Sequence, residues 1–205
     1  MAKYDAIIVG AGPAGIFSAL ELSKSNDIKV LIIEKGKDIG KRVCPGWEKG
    51  ICSRCQPCDL LSGWGGAGAF SDGKLTLSPD VGGWLSEIIG EDELKRIIDY
   101  VDKIFLEFGA PKEVYGADEN ILREWQKKAS LAEMKLIPNK IRHIGTEKAR
   151  EILRDMRGAL KSVDVLTNRR VSRLIVENGE IKGVEVEDGE KFFASFVIVA
   201  PGRQG

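Results

Sequence analysis

Two clusters of residues carry chemistry by type and spacing. The first is the glycine turn Gly10-Ala11-Gly12-Pro13-Ala14-Gly15, which follows the apolar run Ala6–Val9 and precedes a helical pattern reaching about Ser23. A second apolar run, Ile28–Ile33, ends in Glu34, 19 residues past Gly15. In a strand–turn–helix–strand unit of this kind each part holds a piece of a dinucleotide. The first glycine permits the tight turn, the second lets the backbone approach a pyrophosphate, and the third lets helix and strand pack closely. The helix N-terminus offers free N–H groups to the phosphates. Pro13 suits the first helical turn, where its missing N–H costs nothing. Glu34 stands where a carboxylate accepts hydrogen bonds from ribose hydroxyls.

The second cluster is Cys44-x7-Cys52-x2-Cys55-x2-Cys58, which contains every cysteine of the chain. Three thiols at two-residue intervals with a fourth nearby can converge on a soft metal or an iron–sulfur cluster. The order differs from the usual ferredoxin run, because Cys44-Pro45 precedes the triplet, and a zinc knuckle more often shows two separated pairs. Redox disulfide chemistry and plain structural thiols are the other readings of the same spacing. His143, the only histidine, stands near a helix start, where a capping or surface role competes with a catalytic one.

Composition narrows the class. The 205 residues hold 31 Lys+Arg against 31 Asp+Glu, so nothing electrostatic recommends a nucleic acid or an acidic membrane as partner. No apolar run reaches the roughly 18–20 residues that span a bilayer. The apolar stretch Ala6–Leu20 lacks the basic flank and small-residue cleavage site of a signal peptide, and its glycine spacing fits the phosphate turn better. A cytoplasmic protein is the default expectation.

These residues need elements to position them. Lys35–Asp80 has little periodicity and five glycines between Gly63 and Gly73, which reads as an ordered loop covering a ligand. Small residues at Gly65, Gly66, Ala67 and Gly68 let backbone N–H groups approach a phosphate, a ribityl chain or a flavin ring. Arg42 offers a bidentate phosphate contact or, equally, a solvated surface charge. Ser71 and Asp72 read either as reaching a flavin edge or as a simple Ser-Asp-Gly turn. Leu94, Ile97, Ile98, Val101, Ile104, Phe105 and Phe108 form one helical stripe. A second helix is predicted over Glu119–Glu133. A third starts at Thr146 as N-cap and buries Ile152, Leu153, Met156 and Leu160. The stripes of these helices are expected to be core. Val163–Leu166, Val171–Glu177 and Ile181–Glu187 are short strands, and the turns Asn178-Gly179 and Asp188-Gly189 mark a β-meander. It leads into a strand Phe196–Ala200, expected to be buried, and the turn Pro201-Gly202.

A nicotinamide-binding domain would normally continue with alternating strands and helices, so the meander makes that cofactor the weakest option. A meander that ends in a strand and an Ala-Pro-Gly turn resembles the FAD domain of the glutathione reductase superfamily. Gly63-Trp64-Gly65-Gly66-Ala67-Gly68-Ala69-Phe70-Ser71-Asp72-Gly73-Lys74 is similar to a signature of bacterial and archaeal FAD-dependent dehydrogenases, and Asp38–Val43 and His143-Ile144-Gly145-Thr146 fit the same group. The resemblance implies an α/β, Rossmann-like FAD-binding domain in three layers, with a parallel sheet and a β-meander. That domain would be formed by residues 1–80 and 144–205, with 81–143 a mainly helical insertion serving as part of a substrate or cap region.

By the same resemblance Gly10, Gly12, Gly15, Glu34, Arg42, Gly65, Gly66 and Gly68 contact FAD, with Pro13, Ala14, Lys35 and Ala67 among them. Val171 meets the adenine through its backbone, and Ala200–Gly202 lies beside the cofactor. The implied activity is a flavoprotein oxidoreductase acting on a small molecule. The alternatives are an electron-transfer flavoprotein subunit carrying a cysteine-ligated iron–sulfur or zinc site, and a non-catalytic dinucleotide-binding module. Related flavoproteins continue past the equivalent of Gly205, so a further C-terminal domain or a partner chain is expected to complete the site, and the isolated piece to hold FAD weakly.

Overall fold

The structure is a computed structural model that describes residues 3–25 and 27–204; the termini at 1, 2 and 205, included in the expected dinucleotide-binding region, lie outside it. Strand β1 (Lys3–Val9) runs into helix α1 (Pro13–Leu22), and β2 (Val30–Glu34) follows. A long irregular segment leads to the short β3 (Lys74–Thr76), then helices α2 (Leu85–Ile89), α3 (Glu91–Glu107) and α4 (Glu119–Leu131). Strand β4 (Ile141–His143) and helix α5 (Thr146–Ala159) return the chain to four strands: β5 (Val163–Thr167), β6 (Val171–Glu177), β7 (Glu180–Val186) and β8 (Lys191–Val199).

The chain divides into two compact units, residues 1–70 with 153–205, and residues 71–152. The first holds one six-stranded sheet in the order β5-β2-β1-β8-β7-β6. The pairs β5–β2, β2–β1 and β1–β8 are parallel, and β6–β7 and β7–β8 are antiparallel. All five residues of β2 are buried, which explains its unbroken Val-Leu-Ile-Ile run: a strand covered on both faces has no polar side. On one face Ala6 and Ile8 stand beside Val30 and Ile32, and α1 packs there close enough for Gly15 to approach Ile8. On the other face Ile7, Leu31 and Ile33 pack with Val184 and Val186 of the meander, and Val171 and Val197 close the edge. The result is a helix layer, a parallel sheet and a meander layer, a Rossmann-like α/β domain of the expected class.

The turns follow local chemistry. Asn178 and Gly179 both have positive φ, 54° and 81°, as a tight β6–β7 turn requires. Three expectations need correction. The end of β8 is not a buried strand: Phe196 is 71% exposed and Val199 56%. Phe196 pairs with Ala6, but α1 lies over β1 and β2 and leaves the β8 side of that face open. Thr146 does not cap α5 through its side chain, because its hydroxyl donates to the Ser71 carbonyl at 2.8 Å and Thr146 is already helical.

The third correction concerns the helices of the second unit. Their stripes are not core throughout, since α3 buries only Ile104 and α4 buries nothing, with Ile121 and Trp125 more than half exposed. The two-stranded pair β3–β4 and the bidentate ion pair of Arg142 with Asp102, at 2.6 and 2.7 Å, organise this unit instead. Arg142 is buried and also donates to the Pro111 carbonyl at 2.6 Å. No helix among the described residues is long and apolar enough to cross a membrane.

Candidate functional site

The glycine turn of the first unit is tied at both ends. Gly10 donates its N–H to Ile33 at 2.8 Å, and Ala200 donates to Val9 at 2.8 Å, so the ends of β1, β2 and β8 meet there. Gly10 has φ +102°, and a Cβ on it would stand 2.3 Å from the Ala200 carbonyl oxygen, closer than any side chain permits. Gly15 is needed for packing, because its Cβ would meet the Gly10 oxygen at 2.0 Å. Gly12 differs: a Cβ there would meet no atom within 4 Å, and the residue lines a cavity. As N-cap of α1 it brings no capping side chain, so the first-turn N–H groups keep no intramolecular side-chain partner. This is the cradle that a phosphate group needs, and a side chain at Gly12 would fill it.

Glu34 is 5% exposed and its carboxylate is a hub for three loops. Oε2 accepts the Ala11 N–H at 2.8 Å, and Oε1 accepts those of Gly36 and Gly63, both at 2.8 Å. It fastens the phosphate turn, the start of the irregular segment and the glycine run to one anion. A carboxylate offers about four lone-pair positions, so Oε2 retains acceptor capacity for a hydroxyl group.

The glycine run is fixed by Trp64 and Arg42. Trp64 is fully buried, donates Nε1–H to the Leu153 carbonyl at 2.8 Å, and carries the Arg157 guanidinium 5.3 Å above its ring. Arg42 is buried as well. Its Nε donates to the Asp59 carbonyl at 2.9 Å, and Nη1 donates to those of Trp64 and Gly66 at 2.7 and 2.8 Å. Asp59, also buried, pairs with Lys37 at 2.7 Å.

Two cavities lie on this unit at the C-terminal ends of β1 and β2, where open α/β sheets receive their ligands. One, of about 640 Å³, is lined by Gly12, Pro13, Ala14 and by Leu61–Gly63 and Gly66–Gly68, with Ala200–Arg203 across from them. The other, of about 480 Å³, lies between Val9, Gly10 and Ile33 and the segment Arg169–Leu174. Glu34, Lys35 and Pro201 line both, so the two volumes meet at the hub carboxylate. Arginines ring the smaller cavity and are ion-paired: Arg169 with Asp188 and Glu190, Arg170 with Glu187, and Arg173 with Glu185. The bond from Arg173 holds the Glu185 carboxyl below its usual range.

The structure brings together Gly10, Gly12, Pro13, Ala14, Glu34, Lys35, Gly66, Ala67, Gly68, Val171, Ala200 and Gly202 around these cavities. Gly15, Gly65 and Arg42 lie outside the lining. Gly65 abuts Leu153 and donates to the Ala11 carbonyl at 2.8 Å, and Arg42 is an internal brace, neither a solvated charge nor a wall of either cavity. Sequence reasoning passed over Ser62 and the pair Arg169-Arg170, and it gave Trp64 no anchoring role. The doublet of arginines just before Val171 was the available signal.

The four cysteines are free thiols, and among the described residues no three histidine, cysteine or acidic side chains form a group able to hold a metal. His143 belongs to the second unit, in register with Lys74 on β3 and with its ring 6.4 Å from that of Tyr115. Beside it the Lys74 ammonium, bonded to Asp72 at 2.7 Å, holds the Asp72 carboxyl below the usual range, with a smaller contribution from His143. Ser71 and Asp72 form the turn that the Ser-Asp-Gly sequence suggests, since Gly73 donates to the Ser71 hydroxyl at 3.2 Å.

Comparison with known proteins agrees with this geometry. The family model of an NAD(P)-binding Rossmann-like domain matches residues 8–45, the stretch that holds the turn, α1, β2 and Arg42. An uncharacterized protein of Clostridium beijerinckii is 27% identical over 206 residues, covering 98% of this chain and 31% of its own length. The mitochondrial electron transfer flavoprotein-ubiquinone oxidoreductase of Arabidopsis thaliana is 41% identical over 49 residues, 22% of this chain and 8% of its own. The L-amino acid deaminase of Proteus vulgaris superposes with a TM-score of 0.54 at 18% identity, over 98% of this chain and 47% of that one. The chain thus spans about a third of the Clostridium protein, and the first unit has a Rossmann-like dinucleotide-binding fold.

Proposed function

We propose that the first unit binds FAD and serves a flavin-dependent oxidoreductase. The adenosine half would occupy the smaller cavity, against the backbone of Val171. The pyrophosphate would lie at Gly12–Ala14 on the N-terminus of α1, and the flavin half would extend through the larger cavity beside Gly66–Gly68 and Ala200–Gly202. The observation that carries this reading is the junction of two cavities at Glu34, each on one side of the phosphate turn. A mononucleotide would need only one of them. The meander layer over the sheet favours FAD over a nicotinamide cofactor, and the similarity to an electron transfer flavoprotein-ubiquinone oxidoreductase supports redox chemistry.

When bound, the flavin would supply the hydride or electron transfer, and the protein's part would be to hold and orient it and to exclude water. The chain's own contributions are the α1 N-terminus toward the phosphates, the spare acceptor of Glu34 toward a ribose hydroxyl, and the N–H groups of the glycine run toward the remaining half. The substrate is proposed to be a small molecule, and a further domain or partner chain to complete its site. Calorimetric titration of the full chain with FAD, ADP and NAD tests the reading. Saturable heat is expected with FAD and ADP and weaker heat with NAD; no saturable heat with any of them would refute it.

A second reading attaches to the cysteine loop. The Arg42–Asp59 bond closes the neck of the segment that carries all four thiols, with Cys44 two residues inside one end and Cys58 one residue inside the other. A soft metal or an iron–sulfur cluster on Cys44, Cys52, Cys55 and Cys58 would require these free thiols, which form no metal-holding group among the described residues, to converge within that loop. Iron and zinc analysis of the purified protein, with its absorption spectrum, tests this; metal-free, colourless, folded protein would exclude it.

A further inference from the structure

We propose that Arg42 is a positioning residue that shapes the flavin-side cavity through three backbone carbonyls, and that it does not bind the cofactor's phosphates. The proposal rests on the reading that the two cavities take a dinucleotide. Arg42 is 0% exposed, so no ligand can touch it without a rearrangement, and it lines neither cavity.

What the guanidinium does is visible in the two peptides it holds. A trans peptide points its C=O and N–H to opposite sides, and among the described residues the one cis bond is Gln56–Pro57. The Trp64 carbonyl accepts from Arg42 Nη1, and the N–H of the same peptide, that of Gly65, donates across to the Ala11 carbonyl in the phosphate turn. Arg42 therefore braces the phosphate turn from behind through one rigid peptide. The Gly66 carbonyl accepts from the same Nη1, which turns the Ala67 N–H to the opposite side of its peptide, the side away from the brace. Gly66, Ala67 and Gly68 are the residues that line the larger cavity.

The planar fork suits this task and an ammonium does not. Nε and Nη1 reach Asp59 on one side and Trp64 and Gly66 on the other, while the guanidinium face lies 4.8 Å from the Phe70 ring centroid. Lysine has one point of positive charge and no plane to stack, so it cannot span the three carbonyls. Around the stem there is no slack, since a Cβ on Gly63 would stand 2.7 Å from Arg42 Cδ.

The test compares Arg42→Lys and Arg42→Gln with the unaltered chain in three measurements: affinity for FAD, affinity for AMP, and hydrogen exchange of residues 59–68 without ligand. The smaller cavity, proposed for the adenosine half, receives no residue from the braced segment, so AMP reports on it separately. Both variants are expected to lose FAD affinity by at least about tenfold, keep AMP affinity within about twofold, and exchange faster at Gly65 and Ala67. FAD affinity restored in Arg42→Lys would overturn the proposal in favour of a charge acting on the phosphates. FAD and AMP affinities falling by one common factor would overturn it in favour of a general scaffold role. Unchanged exchange at Gly65 and Ala67 would overturn it whatever the ligands do, and failure of the unaltered chain to bind either ligand would sink only the cofactor reading.

Discussion

Replacing Glu34 by Gln is the sharpest perturbation of the first unit. The carboxylate accepts three backbone N–H groups at 2.8 Å while nearly excluded from water. An amide can keep an oxygen where Gly36 and Gly63 converge, but it then turns an NH2 group toward the Ala11 N–H. A hydrogen bond to a charged group contributes about 1.5–3 kcal/mol. That bond is lost and the Ala11 N–H is left facing a donor. The two remaining bonds pass from charge-assisted to neutral, which roughly halves them. The sum is on the order of 3–6 kcal/mol, a large share of the about 5–15 kcal/mol that separates folded from unfolded domains. At about 2–4 °C per kcal/mol for a chain of this size, the melting temperature should fall by roughly 6–24 °C. Thermal unfolding followed by calorimetric titration with ADP reads both consequences. A variant that melts within about 2 °C of the parent would refute the hub. A parent-like melt with lost ADP affinity would assign Glu34 to ribose recognition alone.

Other outcomes follow from the same geometry. Gly10→Ala should abolish dinucleotide binding and destabilise the fold by about 1–3 kcal/mol or more, because φ +102° and the 2.3 Å approach to Ala200 both forbid a side chain; urea unfolding checks it. Arg142→Met removes one partner of a buried bidentate pair and should destabilise the second unit by about 3–5 kcal/mol, read by denaturant titration. Burial, and then the bond from its hydroxyl to Asp164 at 2.9 Å, raises the Tyr4 phenol above its ordinary value. Folding favours the neutral phenol, so its contribution is present below the unfolded value near 10 and is lost as pH rises through the folded one. Asp164→Asn should lower the Tyr4 midpoint in a phenolate absorbance titration, with Tyr4→Phe identifying its share of the signal.

Much of the first unit was legible because its signals are local. Gly10 and Gly15 stand where sterics admit no side chain, Gly12 keeps the cradle open between them, and Val30–Ile33 has no polar position to mislead. Asn178-Gly179 and Asp188-Gly189 announce the meander in two residues each. Arg42 was open between phosphate contact and solvated charge because its partners are carbonyls of residues 59, 64 and 66, and every residue has one. Backbone acceptors leave no mark on a sequence. Strands β3 and β4, three residues each, are too short to show alternation, and α2 carries no capping side chain. The stripes of α3 and α4 show that periodicity reports amphipathicity, whereas burial depends on a neighbouring surface that the stripe does not specify.

Strand β8 has a consequence for how the chain folds. Its first residues, 191–193, pair with β7, and residues 193–199 pair with β1, which lies about 190 positions earlier. During synthesis β1 and β2 can zip together early, but one edge of β1 has to wait until the ribosome has emitted nearly all of the described polypeptide. Pairings between such remote segments form slowly, and a nascent apolar edge left open for that interval is a place for sticking to other chains. Chaperone demand in the cell should therefore track the delay before Phe193–Val199 emerges.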